Sequence, residues 1–300
     1  MNPILKKILW PLVIIKRQYE YYLCKHNPEK LFSIRYKRNT GYNLNTKKTQ
    51  TLYDKIAYLA FYTDTSEWSR LADKVRVREY VRECGYSENL PLLYGTWKKS
   101  SDIDFDKLPN SFVIKTNNAS ATNIIVKNKD KINLEDVKIQ LDKWLQLPYG
   151  LITCQPHYSK IPPLILAEEL LIDKETFEQG KQLIDYKFYC VNGRPLYIMV
   201  ITDRKPNTHD CKIGIFDMSW SLHPEFLSKQ HESVDHEIVC PQSFEQMKEM
   251  ASKLSVKFAF CRVDFYEING KPFFGEMTFT PGFDSFTQSF QEELGKYCHI

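Results

Sequence analysis

The strongest constraint on the fold is a β-hairpin predicted near the carboxyl terminus. Its two strands are AFCRVDFYEI (259–268) and KPFFGEMTF (271–279), joined by Asn269-Gly270, a dipeptide typical of tight hairpin turns. Alternation along the first strand gives one wholly apolar face and a second face that carries Arg262 and Asp264. The apolar face must pack on a hydrophobic core, so the charged face is left to line a site.

The pairing register decides whether this hairpin can bind a metal ion. With a two-residue turn alone, Asp264 would lie opposite Gly275, and Glu276 would point to the other face. One extra residue, in the turn or in a bulge, would instead bring Asp264 and Glu276 face to face, and we predict this second register. Two carboxylates with the Thr278 hydroxyl one step along suit Mg²⁺, which leaves its other positions to phosphate and water. The alternative is a salt bridge from Arg262 to one of the two carboxylates.

In the rest of the chain, the type of predicted secondary structure changes twice, near residues 95 and 165. Up to about residue 90 the periodicity is helical, most clearly in TLYDKIAYLAFY (51–62), whereas 111–127 contains two short strands followed by a helix at 133–145. From residue 164 the pattern is mostly strands in hairpins, with a helix beside them. We therefore expect an α+β fold. Its parts would be residues 1–95, 96–165 and 166–300.

Three lysines form a second group of candidates. Lys115 ends the apolar strand SFVIK before a loop of small and polar residues, Lys187 lies among apolar neighbours in DYKFY, and Lys74 opens a helix predicted at 73–84. Each lysine alone is typical of a protein surface. Together with a carboxylate-bound metal, they supply the positive charge that a nucleoside triphosphate requires.

Charge is distributed unevenly along the chain. The whole chain has 41 Lys and Arg against 37 Asp and Glu, but residues 1–50 hold eleven basic and only two acidic side chains. This asymmetry disfavours a nucleic-acid binder and predicts a basic arm that contacts a membrane surface, an anionic glycolipid or a partner, with a solvated basic helix as the alternative.

The compartment is predicted from what the chain lacks. The apolar stretch Ile8–Ile15 is interrupted by Pro11 and is too short to span a bilayer, and the eight cysteines form no CxxC pair. We expect a cytoplasmic protein that can attach peripherally to the inner face of the membrane.

Five segments in order resemble the ATP-grasp enzymes, especially the TupA-like branch of polysaccharide-biosynthesis proteins. They are LADKVRVREYV, LPNSFVIKTNNAS, ILAEELL, DYKFYCVNGRP and RVDFYEINGKPFFGEMTFTPGF, within about residues 50–285. The last is similar to the R-V-D-F…E-x-N-x-x-P-G signature of D-alanine–D-alanine ligases. The resemblance implies an ATP-grasp core whose two α+β subdomains, a lid at 96–165 and a Mg²⁺-binding part at 166–300, sandwich the nucleotide. The helical, basic region 1–95 precedes this core.

The resemblance also implies a role for each candidate residue. The ATP phosphates would contact Lys74, Lys115, Ser120 and Lys187. The adenine would be read by Glu168, Glu169 and the backbone at Leu170, and the ribose by Asp173. Magnesium would be held by Asp264, Glu276 and Thr278, where the family usually has Asn at the last position. The transferring phosphoryl group would be steadied by two catalytic residues, Arg262 and Lys187.

One segment departs from the superfamily pattern. The phosphate lid is usually rich in glycine, whereas Asn117–Ala121 contains none, in a chain with only 11 glycines among 300 residues. Asn tolerates a left-handed backbone, and Ala and Ser are small, so we expect that backbone N–H groups of this loop can still approach phosphates.

The activity implied is that of an ADP-forming carboxylate–amine ligase that uses ATP and Mg²⁺ as cofactors. It would join a uronic acid of a capsule or surface polysaccharide precursor to an amino acid or amino alcohol, free or phosphorylated, through an acyl phosphate. Two alternatives stay open. One is a glycosyltransferase, with Asp102-Ile103-Asp104 as its weak motif, and the other is a non-catalytic ATP-binding module.

Overall fold

Helices form most of the first 90 residues. The computed structural model describes residues 15–16, 18–173, 183–204 and 210–300. The amino-terminal helices are α1 (18–26), α2 (Pro28–Thr40), α3 (Leu52–Tyr62), α4 (Ser66–Ala72) and α5 (Val77–Glu83). The predicted helix at 51–62 is confirmed. It begins with a capping box, in which the side chains of Thr51 and Asp54 each accept a hydrogen bond from the other's backbone N–H.

Helix α5 begins four residues later than the sequence indicated. Asp73 uses its side chain to accept hydrogen bonds from the backbone N–H groups of Val75 (2.9 Å) and Arg76 (3.3 Å), which closes a turn. Lys74 therefore lies in this turn and does not open the helix. The reason is that a short acidic side chain competes with the helical hydrogen-bond pattern for the same N–H groups.

A small antiparallel sheet follows. Its strands are β1 (Leu93–Trp97), β2 (Phe112–Thr116), β3 (Asn123–Val126) and β4 (Ile165–Glu168), in the order β1-β4-β2-β3. Helix α6 (Leu134–Leu145), capped by Asn133, packs on this sheet, and α7 (Tyr149–Thr153) and a 3-10 segment (Pro156–Lys160) lead into β4. The two strands predicted within 111–127 and the helix at 133–145 are thus confirmed.

A larger sheet forms the carboxyl-terminal part. Its strands are β5 (Asp185–Val191), β6 (Arg194–Thr202), β7 (Lys212–Asp217), β8 (Glu232–Ser233), β9 (Phe260–Ile268) and β10 (Lys271–Thr278), in the order β10-β9-β5-β6-β7-β8. All pairs are antiparallel except β7 with β8. The last two helices are α8 (Phe244–Ser255) and α9 (Gln288–Tyr297).

Both faces of the larger sheet are covered. Alternate residues of β5 enter two cores: Phe188 and Cys190 pack with α8, whereas Tyr189 and Val191 pack with α3 and α9. Burial on both sides explains why most of the residues in β5 are apolar. Lys187 shares the face of Tyr189, so it lies on the side that α3 and α9 cover.

The hairpin of β9 and β10 has the register predicted from the sequence. The pairing runs from Lys271 with Ile268 to Phe274 with Phe265, and then shifts so that Glu276 faces Asp264. The extra residue is therefore a bulge at Gly275 within the strand, and the turn keeps its two residues. A Cβ atom at Gly275 would lie 3.1 Å from the carbonyl oxygen of Asp264, so glycine suits this close approach.

The helices of the described residues are short compared with the thickness of a bilayer. Within that part of the chain, none is both long and apolar enough to cross one.

His157 is fully buried in an aromatic environment. Its ring lies against Tyr158 (centroids 4.5 Å apart) and edge-on to Trp68 (5.6 Å), and neither of its nitrogens has a hydrogen-bond partner among the described residues. Burial, with a smaller effect of Lys160, lowers the pKa of His157 to about 3. The folded protein therefore keeps this histidine neutral.

We predict that His157 makes folding stability fall in mild acid. Between its unfolded pKa of about 6.5 and its folded pKa of about 3, the unfolded chain binds a proton that the folded chain does not, so stability is lost as pH falls. Between pH 7 and pH 5, the unfolding free energy of His157→Phe should fall by about 2 kcal/mol less than that of the wild type. Urea unfolding at both pH values measures the difference. His157→Gln, which cannot titrate, should show the same reduced dependence, and a wild-type dependence in both variants would contradict the prediction.

Candidate active site

Arg262 is the centre of a buried network of charges at the hairpin. Its Nε donates to Oδ1 of Asp264 (2.7 Å), and its Nη2 donates to Oδ2 of the same carboxylate (2.6 Å). The same Nη2 also donates to Oε1 of Glu276 (3.2 Å) and to Oγ1 of Thr278 (3.1 Å). Oxygens of the three predicted metal ligands therefore converge on one nitrogen atom.

Lys187 reaches the same carboxylate from the neighbouring strand. It pairs with Asp264 in the register of β5 and β9, and its Nζ lies 2.7 Å from Oδ2 of Asp264. Its Nζ also lies 3.6 Å from Oδ2 of Asp185, which accepts a hydrogen bond from Nη2 of Arg204 (2.6 Å). A row of alternating charges thus extends from the hairpin along β5.

These charges set the ionisation of Asp264. Only 2% of the residue is exposed, and burial by itself raises the pKa of its carboxyl. Arg262 and Lys187 outweigh that effect and hold the pKa of Asp264 below its ordinary value. Burial opposes the charge of Arg262 as well, but the carboxylate of Asp264 raises the pKa of the guanidinium well above its usual range. Both groups are therefore charged at neutral pH.

Lys74 approaches the network from the turn before α5. Its Nζ lies 3.9 Å from Oε2 of Glu276 and donates to the carbonyl oxygen of Ala119 (2.7 Å). Burial lowers the pKa of Lys74, and Glu276 opposes this shift. Glu276 lies beyond hydrogen-bond distance of Lys74, so the ammonium group can also contact an anionic ligand.

A second cluster lies on the small sheet. Nζ of Lys115 donates to Oε1 of Glu168, and Nη1 of Arg78 lies 3.6 Å from Oε2 of the same carboxylate. Arg78 did not emerge from the sequence analysis. It shares the buried face of α5 with Val77 and Val81, and a basic residue at such an apolar position is the signal that could have identified it.

The segment proposed to read the nucleotide base leaves the end of β4. The backbone N–H of Glu169 donates to the carbonyl oxygen of Leu92 (2.8 Å), and the N–H of Leu92 donates to Oε2 of Glu169 (3.1 Å). Leu170 and Asp173 follow, and both are half-buried. The roles of Glu168, Glu169, Leu170 and Asp173 toward adenine and ribose stay predictions.

The loop between β2 and β3, which the sequence analysis described as small and polar, is partly buried. Asn117, Asn118 and Ala119 are buried. The side chain of Asn117 accepts from the N–H of Leu164 (2.7 Å) and donates to the carbonyl oxygen of Pro162 (3.1 Å). Only its second half, Ser120 and Ala121, is exposed, and the left-handed residue is Ala121 (φ +58°) rather than an asparagine. Side-chain hydrogen bonds to a distant segment, which composition does not reveal, produce this difference.

A cavity of about 290 Å³ lies beside Arg262. Its walls come from the 149–160 segment, the hairpin, the 280–283 loop, α2 and the β2–β3 loop. The lining residues are Phe32, Ser120, Tyr149, Thr153, Gln155, Tyr158, Arg262, Glu276, Thr278, Thr280, Pro281, Gly282 and Phe283. Most of them, including Tyr149, Gln155 and Tyr158, were not candidates, because nothing in the sequence links residues 149–160 to the hairpin.

The 280–283 loop is held in place by the amino-terminal helices. Phe283 packs edge-on against Phe32 (5.5 Å between centroids), Tyr36 (5.4 Å) and Tyr53 (6.0 Å), and the hydroxyl of Tyr53 donates to the carbonyl oxygen of Gly282. Helices α2 and α3 therefore fix the wall of the cavity that directly follows the hairpin.

The donor set fits Mg²⁺. Oxygens of two carboxylates and a hydroxyl surround Nη2 of Arg262. These oxygens can therefore stabilise a positive charge at that position. Oxygen ligands of this kind are those that Mg²⁺ takes, usually together with phosphate and water. The described residues include no group of three His, Cys, Asp or Glu side chains that could hold a metal.

The Asp102-Ile103-Asp104 motif lies apart from this site. Asp104 caps a short 3-10 turn by accepting from the N–H of Asp106 (3.2 Å), and it pairs with Lys107 (3.1 Å). Ile103 packs in the core of the small sheet. These local contacts account for Asp104 as a turn residue.

A family model identifies the chain. The model of the TupA-like ATP-grasp proteins matches residues 54–299. The chain belongs to this family. The predicted ATP-grasp fold and its α+β class are therefore confirmed. ATP-grasp enzymes use ATP and typically Mg²⁺.

Three solved structures to which the chain is similar are described as ligases. D-alanine–D-alanine ligase from Bacillus anthracis is 17% identical, with 76% of this chain and 67% of that chain covered and a TM-score of 0.45. L-amino acid ligase from Bacillus licheniformis is 12% identical, with 78% and 50% covered and a TM-score of 0.47. The ATP-grasp ligase PsnB, complexed with its minimal precursor, is 13% identical, with 74% and 55% covered and a TM-score of 0.40.

The ATP-grasp chain spans about half to two thirds of the length of these structures. A comparison with curated proteins finds no match.

We predict that the two carboxylates of the site differ in their importance for folding. Asp264→Asn leaves Arg262 and Lys187 buried without their common partner and should cost about 3–5 kcal/mol of unfolding free energy. Glu276→Gln should cost less, because the side chain of Glu276 is 33% exposed and Arg262 keeps Asp264. Urea unfolding checks both variants, with Glu245→Gln on the surface of α8 as the control. Equal losses of unfolding free energy in Asp264→Asn and Glu276→Gln would contradict this prediction.

Proposed function

We propose that this protein is an ATP-dependent ligase that joins a carboxylate to an amine and releases ADP and phosphate. The observation that carries the proposal is the convergence of Asp264, Glu276 and Thr278 on one point, with Lys74 and Lys187 beside it and a cavity next to it. Opposed carboxylates and lysines are what phosphoryl transfer from a nucleotide requires.

The proposed reaction has two steps. A carboxylate oxygen of the first substrate attacks the γ-phosphorus of ATP, and the bond to the leaving ADP breaks to give an acyl phosphate. The amine nitrogen then attacks the acyl carbon, phosphate leaves with the C–O bond electrons, and a nitrogen proton passes to solvent. The product is an amide. Water must be excluded because the acyl phosphate hydrolyses readily, and the buried setting of Asp264 and Lys74 supports such exclusion.

The proposed roles of the residues follow the electrostatics of that reaction. Asp264, Glu276 and Thr278 would hold Mg²⁺, which when bound supplies positive charge to the phosphate oxygens. The phosphate chain would contact Lys74, Lys115, Ser120 and Lys187. Adenine and ribose would contact Glu168, Glu169, the backbone at Leu170 and Asp173. Arg262, with Lys187, would turn from its present carboxylate partners toward the transferring phosphoryl group.

The substrates are proposed from membership of the family. The carboxylate would be a uronic acid of a capsule or surface polysaccharide precursor, and the amine an amino acid or amino alcohol, free or phosphorylated.

We also propose that the chain divides into a helical region at 1–95, a lid subdomain at 96–165 and a carboxyl-terminal subdomain at 166–300. The small sheet spans 93–168 and the large sheet 185–278, so the two sheets separate after residue 168, and each proposed boundary falls within a strand of the small sheet, β1 or β4.

The proposed activity predicts a strict requirement for both substrates. Incubation of the protein with ATP, Mg²⁺, D-glucuronate and a mixture of amines should release ADP and phosphate only when both substrates are present. Glu276→Gln should abolish turnover because it removes a metal-binding charge, while Glu245→Gln should retain it. Release of AMP and pyrophosphate, or full activity of Glu276→Gln, would show the proposal to be wrong.

We further propose that α1 contacts an anionic lipid surface. Tyr19 and Tyr22, three residues apart in α1, are exposed on one face, and Ile15, ahead of the helix, is exposed as well. Lys16, which lies 4.0 Å from Glu20, and Lys25 flank these side chains. The acidic residues nearby are already paired. Glu20 lies 3.0 Å from Arg35 and 3.3 Å from Arg38, and Glu29 accepts hydrogen bonds from Tyr62 (2.6 Å) and Thr46 (3.0 Å). A basic helix with exposed aromatic residues suits the headgroup region of an anionic bilayer.

The proposed lipid contact predicts charge-dependent sedimentation with vesicles. The full chain should sediment with phosphatidylglycerol-containing vesicles and not with pure phosphatidylcholine. Lys16→Gln combined with Lys25→Gln should weaken binding roughly 30-fold, since each lysine near such a surface contributes about 1 kcal/mol. Tyr297→Ser, at an exposed tyrosine of α9, is the control. Equal sedimentation with both kinds of vesicle would argue against the contact.

A further inference from the structure

Arg78 is a buried cation to which the proposed reaction gives no role. It lies on the buried face of α5, and only 5% of the residue is exposed. Its Nη2 donates to the carbonyl oxygen of Pro91, and its Nη1 lies 3.6 Å from Oε2 of Glu168, which is beyond hydrogen-bond distance. Its Nε has no hydrogen-bond partner among the described residues. Arg78 therefore has donors that its present contacts do not use.

Burial of the Arg78 guanidinium costs desolvation free energy. Burial lowers the pKa of Arg78 because it disfavours the charged form, and the carboxylate of Glu168 opposes this shift. Replacing buried charges by apolar side chains of similar volume often leaves stability unchanged or increases it. Packing of α5 on the small sheet alone is therefore a poor explanation for an arginine at this position, and the charge points to a functional role.

Glu168 is the carboxylate that Arg78 faces, and it already has another partner. Its Oε1 accepts a hydrogen bond from Nζ of Lys115, while its Oε2 faces Arg78. All three side chains are largely buried. One carboxylate thus lies between two cations, and the group as a whole has a net positive charge.

A phosphate held by Lys115 would lie next to the negative charge of Glu168. Burial and Glu276 affect the pKa of Lys74 most strongly. Lys115 then lowers that pKa and Glu168 raises it, so the second predicted phosphate contact also lies near this carboxylate. Unless another cation pairs with Glu168, the phosphate and the carboxylate would share the charge of one lysine and repel each other.

The carboxylate on the large sheet shows a similar arrangement in a more complete form. Asp264 binds Lys187, which is a predicted phosphate contact, and it also binds the buried Arg262. Arg262 donates to both oxygens of Asp264, so this carboxylate keeps a partner if the lysine turns away. At Glu168 the corresponding arginine is Arg78, which is near enough to pair after a small movement.

We infer that Arg78 is a positioning residue for nucleotide binding, which takes over the carboxylate of Glu168 when the phosphate chain engages Lys115. Arg78 itself does not touch the nucleotide. The inference rests on the proposed function, and it adds a residue outside the proposed contacts that sets the affinity for the phosphate groups.

Competition binding separates the phosphate groups from the nucleoside. The full chain with Mg²⁺ and a fluorescent ADP analogue would be titrated with ADP or with adenosine. Arg78→Met removes the charge but retains a long side chain, and it should weaken ADP binding roughly 10-fold to 100-fold, as expected when a buried charged group loses its partner. Adenosine has no phosphate to engage Lys115, so its Kd should stay within about twofold. An equal loss for both ligands would indicate a distorted small sheet and would overturn the inference.

A double-mutant cycle tests whether Arg78 acts through Glu168. In the background of Glu168→Gln no carboxylate requires a cation, so the additional change Arg78→Met should no longer weaken ADP binding. A loss as large as that in the wild-type background would indicate that Arg78 contacts the phosphates directly, and it would also overturn the inference.

Two further variants serve as control and as substitute. Arg82→Met removes a cation from an exposed position of the same helix, and it should leave both Kd values within about twofold. Arg78→Gln is neutral but can still donate to the carbonyl oxygen of Pro91, so it replaces Arg78→Met if that variant does not fold. The same loss, restricted to ADP, is expected from Arg78→Gln, and unchanged ADP binding would contradict the inference.

The outcomes separate this inference from the ligase proposal. If the wild-type chain binds ADP and Arg78→Met binds it equally well, the inference is overturned while the ligase proposal stands. If the wild-type chain binds no ADP in the presence of Mg²⁺, the ligase proposal itself fails, and the inference fails with it.

Discussion

The site depends on a buried carboxylate that is shared by two cations. Asp264 is almost completely buried, and it stays ionised because Arg262 bonds both of its oxygens and Lys187 reaches it from β5. An ion pair in such a place costs desolvation energy, which hydrophobic burial must offset. The apolar residues on the opposite face of β9, among them Val263 and Phe265, are fully buried and supply that burial.

The bulge at Gly275 connects this ion pair to the chemistry we propose. Without it, Glu276 would point into the core on the other face of the sheet, where a carboxylate could not stay charged. With it, Glu276 and Thr278 join Asp264 at Nη2 of Arg262. A positive group already occupies the point that a metal ion would take, so the site is electrostatically balanced in the absence of ligands.

The amino-terminal helices complete the site from the other side. Helices α2 and α3 cover the face of the large sheet that carries Lys187, and they hold Phe283 and Gly282 so that the 280–283 loop forms a wall of the cavity. Part of this arrangement was predictable. The alternation along β9, the Asn269-Gly270 turn and the helical period of α3 are local patterns, and each led to the correct element. The start of α5 was misplaced although the contacts that decide it are local, because the Asp73 carboxylate accepts hydrogen bonds from the N–H groups of Val75 and Arg76. The packing of Asn117 was not predictable, because it depends on Pro162 and Leu164, which are 45 and 47 residues away.

The sequence by itself determined the elements, the register of the hairpin and the set of charged residues, because strand alternation, turn dipeptides and carboxylate spacing act over a few neighbouring residues. Only the tertiary structure decided which charges meet. Arg78 with Glu168, Lys74 with Glu276 and Gln155 with Thr280 are separated by 90 residues or more along the chain. No local periodicity encodes such contacts. They arise when the two sheets and the amino-terminal helices bury their apolar faces together, and the polar groups left at the junction form the cavity.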